Sequence, residues 1–259
     1  MSSSPPLVAV LLGGGVESTA LVKRFLAEDR PVLPVHIHCG LIWDDCETRY
    51  VRRFCDANAG QGLAPLVEIR LPLHDFLEGH WTVTGVSVPR AGASSADLEI
   101  PLRNLTLLSF ALHRLRQPGN GLYFDRLGMT HPPSRACQEA VEQSRFLTGA
   151  APSEITLALG TTADNCYRDG SRAYFDKCEE VLSLDAGCTV RVLTPLIGLN
   201  KTQVIRNSDA ATLAQSFSCV SPIGDLHCGQ CIKCGRRQAA FHAAGVRDPT
   251  VYANLPAAS

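Results

Sequence analysis

The stretch LVAVLLGGGVEST, residues 7–19, limits the fold of this chain more than any other. Residues 7–12 are six consecutive apolar residues, with the length and valine content of a strand buried in a parallel sheet. The triplet Gly13-Gly14-Gly15 then lets the backbone turn sharply with no Cβ in the way. Ser18 and Thr19 open an apolar-periodic run through Ala20, Leu21, Phe25 and Leu26, which predicts a helix packed back on the strand. Unpaired N–H groups and the positive end of the helix dipole would converge on one point, an anion cradle that small residues allow a phosphate to approach. No Gly-Lys-Ser/Thr follows at Walker spacing, and the glycines do not fall as Gly-x-Gly-x-x-Gly, so neither of those nucleotide motifs applies. A plain glycine-rich turn is the alternative.

The strand-then-helix rhythm repeats along the chain. Residues 31–38 (PVLPVHIH) predict a second strand. Residues 44–60 predict a helix with Tyr50, Val51, Phe54 and Cys55 on one face, Arg49, Arg52 and Arg53 on a solvated face, and Gly60 as C-cap. Further strands are predicted over 66–71, 155–160 (ITLALG) and 190–193, and helices over 103–115, 171–184 and 201–207. Such alternation argues for an α/β fold, a doubly wound parallel sheet with its ligand crevice at the carboxyl ends of the strands. The glycine turns at Gly13 and Gly160 would both open there. Two stretches break the rhythm. Residues 82–97, with few apolar anchors, predict a mobile loop beside the crevice. Residues 117–153, with one weak helical run at 138–147, predict an insertion. The expected organisation is a nucleotide-binding domain over 1–215 carrying that insertion, followed by a C-terminal segment over 216–259.

With 259 residues the chain can bury a sizeable core. Its net charge of −1 gives no general electrostatic case for nucleic acid or an anionic membrane. No apolar run approaches the roughly 20 residues needed to span a bilayer. Residues 7–12 follow Ser and Pro rather than Lys or Arg, unlike a signal-peptide core, so a cytoplasmic protein is expected. Eleven cysteines is an odd count, and Cys39, Cys46, Cys55, Cys137, Cys166, Cys178 and Cys188 are scattered without a framework, which suits reduced thiols.

The other four cysteines form the sharpest local signal. In FSCVSPIGDLHCGQCIKCGRR, Cys219 is followed by Cys228, Cys231 and Cys234. Four thiolates suit a tetrahedral structural zinc site with every position filled, and His227 is an alternative ligand. An iron–sulfur cluster and a redox Cys-x-x-Cys pair are the rival readings. A closed metal site would staple a C-terminal helix, residues 235–244, to the sheet. His36 and His38 share one face of an alternating strand from which Cys39 points away, and ordinary packing or a place in the lining of the crevice is expected of them.

Residues 13–19 resemble the PP-loop of ATP pyrophosphatases, Ser-Gly-Gly-x-Asp-Ser-Thr/Ala, with Gly13 in place of the Ser and Glu17 in place of the Asp. Residues 219–252 resemble the end of the 7-cyano-7-deazaguanine synthase family. That family has a Cys, then Cys-Gly-x-Cys-x-x-Cys, an Arg, an apolar helix, a Gly and Asp-Pro-Thr-x-Tyr. Three further segments match it in order. These are Pro101-x-Arg103-Asn104 before an apolar helix, Ala158 to Gly160 with Asp169 and Phe175 beyond, and Thr194-Pro195-Leu196-Ile197-x-Leu199-x-Lys201. The resemblance covers nearly the whole chain outside the insertion. Two segments depart from it. The family's Asp-Tyr-Gly-Gln-Arg is replaced by His38-Cys39-Gly40-Leu41-Ile42-Trp43, and its Asp-x-Ser-Gly-Tyr-Pro-Asp is only Asn165-Cys166-Tyr167-Arg168-Asp169. These mark a divergent member or paralogue.

The resemblance implies a doubly wound parallel sheet of PP-loop ATP pyrophosphatase type with a small C-terminal helical segment stapled by a four-cysteine zinc site. It also implies the chemistry. A carboxylate resists nucleophiles, and attack on the α-phosphorus of ATP turns it into an acyl adenylate that ammonia converts to an amide; in the family the amide is activated again and becomes the nitrile. On this reading Gly13, Gly14, Gly15, Val16, Ser18 and Thr19 surround the pyrophosphate, Lys201 neutralises it, and Glu17 reaches magnesium directly or through water. Lys201, Glu17 and Ser18 are the catalytic candidates. Arg103, Asn104 and Gly160 are candidates for the nucleotide, and Arg103 and Asp169 for the substrate, 7-carboxy-7-deazaguanine or a relative. Each has a plain alternative: a surface lysine, a paired arginine, a turn aspartate. Three other functions stay open: transfer of the activated acyl group to a protein or other amine, sulfur transfer to tRNA, and non-catalytic nucleotide binding. The absence of a basic patch argues against the tRNA reading. Whether the chain is a monomer or a homodimer is left open.

Overall fold

The computed structural model describes residues 6–116 and 154–254. The predicted insertion, residues 117–153, and its helical run at 138–147 lie outside the described residues. Five parallel strands, β1 Val8–Leu11, β2 Val32–His38, β3 Val67–Arg70, β4 Glu154–Ala158 and β5 Thr189–Leu193, pair in the order β3-β2-β1-β4-β5. The α/β parallel sheet expected from the sequence is therefore present. The chain winds outward from β1 to β3 and then returns to the other side of β1. Strand order thus reverses between β1 and β4, the place where an open α/β sheet leaves a crevice.

Helices α1 Val16–Ala27, α2 Asp44–Ala57, α3 Trp81–Thr84, α4 Arg103–Arg116, α5 Arg172–Ala186, α6 Lys201–Arg206, α7 Ala210–Ala214 and α8 Ile232–Ala244 accompany the sheet. Strand alternation sorts them. Val8 and Val10 point to one face, where α1, α2, α6, α7 and α8 bring Leu21, Phe25, Phe54, Ile205, Leu213 and Phe241 into one core. Ala9, Val35 and Leu157 point to the other, covered by Leu108 of α4 and by Phe175 and Leu182 of α5. A third cluster joins the end of β2 (Cys39, Leu41, Trp43) to Phe217 and the four C-terminal cysteines. No helix among the described residues is long and apolar enough to cross a membrane.

Several local expectations shift. Helix α2 ends at Ala57 rather than Gly60, because Asn58 caps it, donating from Nδ2 to the Phe54 carbonyl at 2.8 Å. Arg52 and Arg53 are exposed and Arg49 partly so, as expected of a solvated face, but the face carries ion pairs as well: Arg52 forks onto Glu68 at 2.7 and 2.8 Å, and Arg49 and Arg53 both reach Asp225. The loop expected to be mobile, residues 82–97, is tied to the cysteine segment by Ala91 N–H to the Gln230 carbonyl at 3.0 Å and Ile232 N–H to the Pro89 carbonyl at 2.9 Å. Its anchors are backbone groups pairing over a long sequence distance, which a local apolar count cannot register. The last helix starts at Ile232, three residues ahead of the expected start, because the Cys231 side chain accepts the Cys234 N–H and caps it.

One buried charge fixes the C-terminal segment. Arg237 of α8 is 0% exposed, meets Asp248 at 3.3 Å, donates to Ser216, Ser218 and the Leu213 carbonyl, and lies over the Phe241 ring. Asp248 also accepts from the Tyr252 hydroxyl at 2.6 Å and the Thr250 N–H at 3.0 Å. The Asp-Pro-Thr-x-Tyr run is thus the acceptor side of an arginine lock. Arg237→Leu leaves Asp248 half-buried without its cation, and a loss of about 3–5 kcal/mol in urea unfolding is expected. Burial raises the Asp248 pKa, but Tyr252, Thr250 and Arg237 outweigh it and hold the carboxyl below its usual value. Its stabilising contribution is therefore complete above the ordinary aspartate range and drains away as pH falls through the folded-state value. The acid limb of the wild-type stability curve should shrink in the variant.

Candidate functional site

The crevice is built first from backbone. The Leu12 N–H bonds to the Val35 carbonyl, which ends the pairing of β1, and Gly14 then turns at φ +69°, a conformation that favours glycine. The Phe217 N–H donates to the Gly14 carbonyl at 2.7 Å and fixes the turn from outside. Gly15 is the N-cap of α1 and offers no side-chain cap, so the first N–H groups of that helix are left for a ligand. The Ser18 and Thr19 hydroxyls are turned back on the helix: both donate to the Gly15 carbonyl, at 3.1 and 3.0 Å, and Thr19 is fully buried. Val16, 1% exposed, anchors the turn in the core beneath. From the far side of the strand reversal, Gly160 lies so close that a Cβ there would sit 2.7 Å from Glu17 C and 2.8 Å from Ser18 N. The second glycine turn thus abuts the first turn of α1 just beyond the Gly13–Gly15 triplet.

Charged side chains enter from four directions. Lys201 heads α6, whose N-terminus is set by an Asn200–Gln203 capping box and by its own N–H on Asp164. Its Nζ lies 2.7 Å from Glu17 Oε1, the pair being 17% and 21% exposed. Burial works to raise the Glu17 pKa, but the Lys201 charge and hydrogen bond prevail and hold the carboxyl below its ordinary value. Glu47 of α2 brings its Oε1 to 3.4 Å from the point where a Cβ at Gly13 would lie. Arg103, at the first turn of α4, follows Leu102 at φ +62°, a strained conformation for a leucine. Burial, with the like charges of Lys201, Arg103 and Arg236, pushes the ammonium of Lys233 on α8 down to about 8 against the opposing pull of Glu17. Neither Arg103, Lys233 nor Glu47 makes a side-chain hydrogen bond or ion pair with the described residues. Glu47 and Lys233 belong to no motif singled out from the sequence. Only their approach to Gly13 and Lys201 marks them.

Two candidates lie apart from this convergence. The Asn104 amide donates to the Asp169 carbonyl at 3.0 Å. Asp169 sits in a short turn, Arg168–Gly170, and its charge acts on Tyr174 and Cys178 of α5 rather than on the loop. His36 and His38 take part in a relay that runs from the buried His36 to the partly exposed Glu68. His36 bridges the Leu12 carbonyl and Thr48, Thr48 meets His38, and His38 meets Glu68.

The sulfur atoms of Cys219, Cys228, Cys231 and Cys234 all lie within 4.8 Å of one another, and all four residues are buried. The two closest approaches are 3.8 Å for Cys219–Cys231 and 3.9 Å for Cys228–Cys234. Four sulfurs at the zinc–thiolate distance span tetrahedral edges of about 3.8 Å, so one ion fits this space. Backbone N–H groups of Ser221, Cys228, Gln230, Cys231 and Cys234 point at the sulfurs, as suits thiolates. His227 stands outside the shell, its Nε2 accepting the Ser218 N–H at 3.0 Å. When bound, the metal would supply a cross-link holding residues 219–234 to the start of α8.

A family model described as "Queuosine biosynthesis protein QueC" matches residues 144–245. Proteins named 7-cyano-7-deazaguanine synthase are similar to the chain along its length. The one from Chlorobium luteolum is 26% identical over 260 residues, covering 95% of this chain and 96% of its own. That from Ruegeria sp. is 42% identical over 114 residues, 41% of this chain and 48% of its own, and that from Methanothermobacter thermautotrophicus is 29% identical over 138 residues, 52% and 54% respectively. Among solved structures, a predicted subunit of tRNA methyltransferase from Methanocaldococcus jannaschii aligns at TM-score 0.36 and 14% identity over 78% of this chain and 73% of that one, a likeness too low to inform the site. Identity is low where coverage is complete and higher only over a part. The chain is thus similar along its length to the 7-cyano-7-deazaguanine synthases, with a sequence divergent from theirs.

Proposed function

We propose that this chain is an ATP-dependent carbon–nitrogen ligase that activates the carboxylate of 7-carboxy-7-deazaguanine, or a close relative, by adenylation and adds nitrogen from ammonia to give the amide or the nitrile. The observation that carries this reading is the meeting of an uncapped glycine turn with Lys201 and Glu17 at the strand-order reversal, in a chain whose relatives are named for that product. The N–H groups at the head of α1 receive phosphate oxygens, Lys201 neutralises the departing pyrophosphate, and Arg103 and Lys233 balance the negative charge of the nucleotide and the substrate carboxylate. Glu17, paired with Lys201, is the carboxylate available to the magnesium that accompanies ATP. Gly160 closes the back of the turn and keeps water from the adenylate. The four-cysteine knot sets the position of Lys233 through α8.

The test is ATP-dependent pyrophosphate release with 7-carboxy-7-deazaguanine, followed by the mass of the product formed with ammonium. Release that requires the deazaguanine, with the product mass of an amide or a nitrile, is the expected result. ATP binding without turnover would point instead to a non-catalytic nucleotide-binding protein, and a product formed only with a protein amine to acyl transfer.

A further inference from the structure

Among the described residues, the acids, thiols and imidazoles around the glycine turn that could take up a proton are engaged, save one. Glu17 is held by Lys201 at 2.7 Å. Asp44 accepts the Gly40 N–H, and the Cys39 thiol turns to the Ile37 carbonyl. His36 is sealed between Leu12 and Thr48. The half-buried Glu47 carboxyl has no hydrogen-bond partner among the described residues, and its Oε1 lies 3.4 Å from where a Cβ on Gly13 would sit.

We propose that Glu47 takes the proton from the attacking nitrogen as ammonia displaces AMP from the acyl adenylate held against Gly13, Gly14 and Gly15. This deepens the adenylation reading and rests on it. The nitrogen lone pair forms the C–N bond, the bond from the acyl carbon to the phosphate oxygen breaks with its electron pair leaving on AMP, and the surplus proton on nitrogen passes to a Glu47 carboxylate oxygen and from there to solvent. Nothing is oxidised or reduced, and ammonia is the co-reactant.

The surroundings of Glu47 suit the task. Arg103 from α4 and Lys233 from α8 face it, with Asp44 on its own helix and Cys39 at the end of β2. Burial pushes the carboxyl up to about 8; Arg103 pulls it back, Asp44 adds to the rise and Lys233 opposes it. Two carboxyls on either side of one glycine turn, from α1 and α2, are thus driven apart, Glu17 held ionised beside a lysine and Glu47 able to exchange a proton near neutral pH.

The experiment compares the wild type with Glu47→Gln and Glu47→Asp in two assays: pyrophosphate exchange into ATP dependent on 7-carboxy-7-deazaguanine, and amide formation from ammonium or from hydroxylamine, whose nitrogen is uncharged at neutral pH. Glu47→Gln should exchange pyrophosphate at close to the wild-type rate while losing about 10²–10⁴-fold in transfer from ammonium. Hydroxylamine must also lose a proton after attack, so its transfer should fall in the same variant, Glu47→Asp should retain part of the activity, and with hydroxylamine, whose own ionisation is complete below neutral pH, the wild-type rise in rate toward about pH 8 should be absent from Glu47→Gln. Unimpaired transfer from ammonium in Glu47→Gln overturns the proposal, as does an equal loss in both assays, which would make Glu47 a nucleotide contact. No exchange in the wild type overturns the adenylation reading itself, and this proposal with it.

Discussion

Removing the metal from the four-cysteine knot, by chelation or by Cys228→Ser, is expected to unfold the C-terminal segment and to lower the thermal midpoint of the whole chain by about 10 °C or more, on the order of what about 5 kcal/mol does to a protein of this size. The reason is a comparison of magnitudes. A structural zinc ion contributes about 10–16 kcal/mol to the folding of the segment it holds, as much as the net stability of a whole domain. Here that segment is not peripheral. Helix α8, which begins inside the knot, gives Ala240, Phe241 and Ala244 to the core on the α1 side of the sheet, and Arg206 of α6 donates to the carbonyls of Ala243 and Ala244. Residues 89–91 pair with the knot as well. Metal analysis at one ion per chain, with a midpoint that falls on chelation and recovers on adding zinc, is the supporting result. A metal-free protein with the same midpoint contradicts it.

Lys201→Ala is expected to lower ATP-dependent pyrophosphate release by about 10²–10³-fold with the fold retained, the cost typical of removing one preorganised group that stabilises developing negative charge. The fold should survive because Lys201 opens a six-residue helix whose N-terminus is set by Asn200 and Gln203, not by the lysine side chain. The catalytic loss should exceed that of a surface lysine because the ammonium is only 17% exposed and its partner Glu17 stands in the first turn of α1. Losing Lys201 also leaves Glu17 without its cation beside the phosphates, which adds repulsion to the missing attraction. Circular dichroism and a thermal melt check the fold, and a coupled pyrophosphate assay checks the rate. Wild-type release in Lys201→Ala would mean that the nucleotide binds elsewhere.

What the sequence determined by itself is what depends on near neighbours along the chain. Apolar runs such as residues 7–12 and 155–159 mark strands, glycines mark where they must end, and cysteines spaced three apart mark a metal-sized shell. Period and spacing are local, and each survives into the structure with its ends moved by a cap, as Asn58 and Cys231 show. Tertiary structure alone decided which distant charges meet. Arg52 reads as a solvated residue until β3 places Glu68 beneath it, and Arg49 until Asp225 arrives from the far end of the chain. Glu47, Arg103 and Lys233 stand on three separate helices, and no periodicity in any one of them shows that the charges of Arg103 and Lys233 act on Glu47 beside Gly13. That meeting is a product of strand order: the reversal between β1 and β4 opens one crevice, and side chains whose charges share it shift one another's proton affinity through space rather than along the sequence.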